Sequence, residues 1–115
     1  MAKILLAEDD TTMVTLLKTL LKMEGFDVMA LDVDDDIPAA VDREKPDAIF
    51  MDVHLGDRSG MQVLEAIRNN PGTAAVRVVM TSGLNMEAEC LTLGANAFLQ
   101  KPFMPDELIS VLKVS

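Results

Sequence analysis

Lys3-Ile4-Leu5-Leu6-Ala7-Glu8-Asp9-Asp10 sets an apolar run of strand length directly against three acids. The arrangement recurs along the chain. Ala48-Ile49-Phe50-Met51 is followed by Asp52, and Ala97-Phe98-Leu99-Gln100 by Lys101 and Pro102. Helical spacing fills the intervals. Thr11–Glu24 carries Met13, Leu16, Leu17, Leu20 and Leu21 on one side and Lys18 and Lys22 on the other, and Gly25 stops it. Phe26–Leu31 reads as a second strand. Asp36 caps a helix with Pro38 in its first turn, burying Ile37, Ala40 and Val41 and ending before Pro46.

Ala48–Met51 is then the third strand and His54–Gly60 a loop. Met61–Arg68 presents Val63, Leu64 and Ile67 on one face, and Asn69-Asn70-Pro71-Gly72 marks a turn. Val76–Met80 is the fourth strand. A short helix over Met86–Leu93 is closed by Gly94, Ala97–Leu99 is the fifth strand, and Pro105 opens a last helix with Leu108, Ile109, Val111 and Leu112. Alternation of this kind implies a doubly wound α/β fold, a parallel sheet with helices on both faces. Right-handed crossovers bring every strand's carboxyl end to one edge, where such sheets bind ligands. Glu8, Asp9, Asp52 and Lys101 converge there. Three carboxylates in one place call for a hard, oxygen-liganded cation, and Mg2+ is the natural choice.

Composition narrows the function classes. The chain has 115 residues, enough for one domain, and half of them are hydrophobic. A net charge of −9 argues against nucleic acid or an anionic membrane surface as direct partner. No apolar stretch is long enough to span a bilayer. The N-terminus enters strand-like sequence without a signal-peptide pattern, and the single cysteine, Cys90, forms no intrachain disulfide. We therefore expect a cytoplasmic protein. The acids Asp32, Asp34, Asp35 and Asp36 read as a solvated loop leading into a helix.

Four motifs in order make the chain resemble a bacterial response-regulator receiver domain. They are Ile4-Leu5-Leu6-Ala7-Glu8-Asp9-Asp10, Phe50-Met51-Asp52 with Gly60 further on, Val79-Met80-Thr81-Ser82-Gly83, and Gly94-Ala95-Asn96-Ala97-Phe98-Leu99-Gln100-Lys101-Pro102-Phe103. The resemblance implies a flavodoxin-like (βα)5 fold with strand order 2-1-3-4-5 and a single receiver domain over residues 1–115. It implies that Asp52 accepts a phosphoryl group from a sensor histidine kinase or phosphotransfer protein. Asp9 and Asp52 would bind Mg2+ (or Mn2+) directly, Glu8 through a water, and His54 through its backbone carbonyl. Lys101 and the Thr81 hydroxyl would hold phosphoryl oxygens, and Thr81 and Phe98 would relay the change. An ordinary core aromatic is the alternative for Phe98, and an exposed loop side chain the alternative for His54. The Lys101–Pro102 bond is expected to be cis.

The family's known partners are downstream effectors, linked output domains, or a second copy bound through helix 4, strand 5 and helix 5. No turnover enzyme is implied. Two departures stand out. Gly56 occupies a position where the family usually has proline, which leaves the loop less pre-set. The Thr81–Gly94 interval is also short, so helix 4 should be short or displaced. These favour a competing reading, a phosphorylation-independent docking module; intact Glu8, Asp9, Asp52, Thr81 and Lys101 oppose it. An aspartyl-phosphate hydrolase lacks its second acid here, where Asp52-x-His54 stands, and a flavin site lacks Trp and Tyr.

Overall fold

Two rows of side chains explain the architecture. In the first strand, β1 (Lys3–Ala7), Ile4 and Leu6 enter one apolar cluster and Leu5 and Ala7 another. A strand buried on both faces must be apolar at every position, which is why the run has no polar alternation. The computed structural model describes residues 2–113. The remaining elements are α1 (Thr11–Met23), β2 (Asp27–Leu31), α2 (Ile37–Glu44), β3 (Ala48–Asp52), β4 (His54–Leu55), β5 (Arg58–Ser59), α3 (Gly60–Asn69), β6 (Arg77–Ser82), α4 (Glu87–Thr92), β7 (Ala97–Gln100) and α5 (Pro105–Leu112).

The main sheet is parallel throughout and has five strands in the order β2-β1-β3-β6-β7. With the short β4–β5 pair set aside, this is the expected order 2-1-3-4-5. On one face α1 and α5 bury Leu17, Leu21, Leu108 and Leu112 against Ile4, Leu6, Phe50, Val79 and Leu99. On the other, α2, α3 and α4 bury Ile37, Val41, Leu64, Ile67 and Cys90 against Leu5, Ile49, Met51, Val78 and Met80. Leu16, read as part of the buried stripe of α1, is 56 % exposed; Leu17 and Leu21 suffice to seat the helix.

Several boundaries differ from the sequence reading. β3 and β6 run one and two residues further than expected, because Asp52 and Thr81 are themselves a register pair. The loop expected over His54–Gly60 instead contains an antiparallel hairpin, pairing His54 with Ser59 and Leu55 with Arg58. Gly56 sits at its tip with φ +59, a value proline cannot adopt. Glycine here specifies a tight turn. Helix α4 has only six residues, and its Met86–Cys90–Leu93 side faces the core while Leu84 and Leu91 remain exposed. The Lys101–Pro102 bond is cis, as expected.

The sequence reading passed over Arg68. From the last turn of α3 its guanidinium donates to the carbonyls of Gly94 (2.9 Å), Ala74 (2.9 Å) and Val76 (2.7 Å) and to Asn96 Oδ1 (2.9 Å). It ties together the loops entering β6 and β7, at the edge opposite the acids. Arg68→Met should cost about 2–4 kcal/mol, since charge-assisted bonds are lost and carbonyls orphaned. Urea unfolding of the purified variant measures this, and an unchanged midpoint would refute the clamp.

Candidate functional site

Register decides which residues meet. Ala7 lies beside Met51, Met51 beside Met80, and Asp52 beside Thr81. Glu8 follows Ala7, and Lys101 follows the Gln100 that pairs with Ser82. Four strands thus deliver Glu8, Asp52, Thr81 and Lys101 to the same edge. Asp9 joins them from the turn into α1, and the Asp10 carboxylate caps that helix by accepting from Met13 N–H at 3.1 Å.

The centre is a buried ion cluster. Lys101 Nζ donates to Asp52 Oδ2 at 2.6 Å and to Glu8 Oε1 at 3.2 Å. Asp52 Oδ1 accepts from the His54 backbone N–H at 2.8 Å. Glu8 and Asp52 are only 4 % and 5 % exposed, whereas Asp9 is open to solvent. Burial and the neighbouring Asp52 carboxylate together push the Glu8 carboxyl up to about 7. Burial pulls the Lys101 ammonium down, but its bonds to Asp52 and Glu8 outweigh this and raise it overall.

The residues fit a hard divalent cation. Glu8, Asp9 and Asp52 each offer a carboxylate oxygen, all within 4.8 Å of one another. Glu8 Oε2 is buried without a hydrogen bond, although Lys101 Nζ lies 3.1 Å away. An orphaned anionic oxygen facing two other carboxylates is what a metal-bound water or cation satisfies. Asp9 is held for the purpose by a backbone donor, Gly56 N–H, at 3.2 Å from Oδ2.

The other expected residues take distinct places. Thr81 is fully buried and donates its hydroxyl to the Leu99 carbonyl at 2.6 Å. Phe98 is inward, in the cluster that contains its register partner Met80 and Cys90. The His54 side chain is exposed; its contribution to the cluster is its N–H. The backbone donors of His54 and Gly56 have no signature in sequence. Gly60 does have one, and the structure explains it: a Cβ there would stand 2.1 Å from the Asp52 carbonyl oxygen. Gly60 N–H also donates to Val53 O at 2.6 Å, so α3 starts hard against the strand that carries Asp52.

Residues 4–113 match the response regulator receiver domain family. The chain belongs to that family. Receiver domains are the signalling domains of response regulators in two-component systems. Similar proteins include the transcriptional regulatory protein GltR of Pseudomonas aeruginosa, 34 % identical over 96 % of this chain and 47 % of its own length. Protein PilG of the same organism is 31 % identical over 96 % of this chain and 84 % of its own length. The receiver domain spans about half the length of the first curated relatives it matches.

Among solved structures, a response regulator from Chloroflexus aurantiacus superposes with TM-score 0.87 at 26 % identity, covering 98 % of both chains. The receiver domain of the sensor histidine kinase PA1611 of Pseudomonas aeruginosa superposes with TM-score 0.84 at 30 % identity, over 97 % of this chain and 94 % of that one. That structure has a magnesium ion coordinated in its active-site cleft. No helix among the described residues is long and apolar enough to cross a membrane.

Two outcomes test this geometry. With the Glu8 carboxyl raised in the folded, metal-free protein, its contribution favours folding below about pH 4.5 and is lost as pH rises to about 7. The melting temperature of metal-free Glu8→Gln, relative to the parent, should therefore be higher at pH 8 than at pH 4.5. A pH-independent difference would contradict the assignment. Gly60→Ala should destabilise by about 1–3 kcal/mol through overpacking against the Asp52 backbone, measured by denaturant unfolding; a neutral result would mean the contact is not tight.

Proposed function

We propose that this receiver domain is a phosphorylation-dependent switch in which Asp52 accepts a phosphoryl group. The observation that carries the reading is Asp52 itself. It is a buried carboxylate bonded to Lys101 at 2.6 Å, within reach of two further acids. A carboxylate oxygen attacks phosphorus, the bond from phosphorus to the donor breaks, and an acyl phosphate forms. Such transfer asks the protein chiefly for placement and charge neutralisation. Lys101 is already seated on the nucleophile and supplies positive charge to the arriving oxygens. A Mg2+ ion held by Asp9, Asp52, the His54 carbonyl and, through water, Glu8 supplies further neutralisation when bound; Mn2+ has the same preferences.

Thr81 is the group with a choice. Its hydroxyl now donates to Leu99 O, and bonding a phosphoryl oxygen requires it to leave that carbonyl. This exchange links the site to β7, where Phe98 sits. A histidine kinase or phosphotransfer protein of the cytoplasm is the donor, and the domain modifies itself without turning over a substrate. Its output passes to an effector, a linked domain or a second copy through α4, β7 and α5, where Leu84 is 62 % and Leu91 44 % exposed.

A second reading, constitutive docking without phosphorylation, draws on the short α4, only six residues long, and on the exposed Leu84 and Leu91 beside it. Incubation with Mg2+ and acetyl phosphate separates the two. The parent protein should shift on a phosphate-affinity gel and Asp52→Ala should not. A parent that never shifts, with acetyl phosphate or with kinase donors, leaves the docking reading. Millimolar Mg2+ should also raise the melting temperature of the parent, because the ion binds only the folded site.

A further inference from the structure

One cation near the site takes no part in the ion cluster. Arg58 lies on β5, the return strand of the hairpin whose first strand begins with His54. Its Nη1 donates to two backbone carbonyls of the β2–α2 loop, Val33 O and Asp35 O, both at 2.5 Å. The loop is acidic, with Asp32 before Val33 and Asp34, Asp35 and Asp36 after it. Among the described residues Arg58 forms no ion pair with any of these acids. It holds the loop by its main chain.

The hairpin between Arg58 and Asp52 is also the source of two of the site's backbone donors. His54 N–H fixes Asp52 Oδ1, and Gly56 N–H fixes Asp9 Oδ2. The tip lies close to the loop: a Cβ added on Gly56 would come within 3.8 Å of Val33 Cγ2. Both residues that Arg58 grips line a cleft of about 370 Å³, whose other walls include Glu8, Asp9 and Asp32. The β2–α2 loop therefore forms one wall of the entrance to the acidic site, and Arg58 pins that wall to the strand pair that orients Asp9 and Asp52.

We propose that Arg58 is a positioning residue for the acidic site, acting through the hairpin to hold Asp9 and Asp52 in the arrangement that receives the divalent cation. The proposal rests on the phosphoacceptor reading above. Without Arg58 the acidic loop has no anchor of this kind and its charges repel it from Asp9. The hairpin tip then loses its backing, and the Gly56–Asp9 bond, already long, is the first to go. Groups that orient metal ligands typically govern affinity by about 10–100-fold when removed. An exposed carboxylate held by one amide lies at the lower end, so about tenfold weaker Mg2+ binding is expected for Arg58→Met.

The test uses the 115-residue chain. Mg2+ affinity is measured by calorimetry for the parent, Arg58→Met and Arg58→Lys. Hydrogen exchange of the Gly56 amide is followed by NMR in the metal-free proteins. Lys3→Met, which breaks the Lys3–Glu44 pair at the opposite edge, is the control for general loss of stability. The expected pattern is about tenfold weaker Mg2+ binding and faster Gly56 exchange in Arg58→Met, partial recovery in Arg58→Lys, and parental values in Lys3→Met. Should Arg58→Met not fold, Arg58→Lys alone decides, since it keeps the charge but loses the planar fork. Parental Mg2+ affinity in a folded Arg58 variant overturns the proposal, as does an equal loss in Lys3→Met. If the parent neither binds Mg2+ nor accepts phosphoryl from acetyl phosphate, the phosphoacceptor reading falls first and this inference with it.

Discussion

One lysine among three carboxylates governs this structure. Carboxylate oxygens of Glu8, Asp9 and Asp52 lie within 4.8 Å of one another. At such a separation each like-charged pair costs about 3–4 kcal/mol for an effective dielectric constant near 20. Lys101 offsets part of this by bonding Asp52 and Glu8 together. A single positive charge cannot balance three negative ones, so the remainder falls on a proton at Glu8 or on a cation from solution. The raised Glu8 carboxyl and its orphaned Oε2 are two expressions of the same imbalance. The site is held in a state that an added cation relieves.

Such a cluster survives only on a rigid frame. Five parallel strands supply it, buried by helices on both faces. Phe50, two residues before Asp52, packs edge-to-face on Phe103 at 5.6 Å, just beyond the cis Lys101–Pro102 bond. Backbone groups finish the work: His54 and Gly56 donate to the acids, and Gly60 allows α3 to start against Asp52. At the far edge Arg68 performs the analogous task for the loops, bonding carbonyls where Lys101 bonds carboxylates. The difference in partners explains the difference in consequence. Carbonyls only brace, whereas a carboxylate cluster short of positive charge also attracts cations.

In the proposed switch, communication from the site would run along β6 and β7. Thr81 is bound to Leu99 O across the strand pair, and Phe98 is the next residue along. The two sit on opposite sides of the question that a signal must answer. Thr81 has a partner to give up, while Phe98 has no polar group and is already packed. In the proposed switch, a change at Asp52 would reach the α4 side through backbone and packing, with the six-residue α4, its exposed Leu91 and the exposed Leu84 just before it as the nearest surface.

Much of this was legible in order and spacing alone. The apolar runs that end in Glu8, Asp52 and Lys101 specify buried parallel strands, because only such strands need to be apolar at every position. Parallel connection then puts those residues on one edge, so the carboxylates and the lysine could be brought together on paper. What could not be read was anything carried by the main chain or by a side chain's second partner. Gly56 looked like a loosened loop and proved to be the tip of a hairpin, because its positive φ depends on the pairing of His54 with Ser59. Leu16 matched the buried stripe and is exposed, because its helix meets the sheet along a narrower line. Arg58 and Arg68 were passed over in the sequence reading, yet both reach backbone carbonyls remote in sequence. Sequence by itself determined which chemical groups gather at the edge, since strand polarity and connectivity leave them nowhere else to go. Only the tertiary structure decided how those groups are held, since hydrogen bonds to the main chain depend on distance and angle and leave no mark on residue identity.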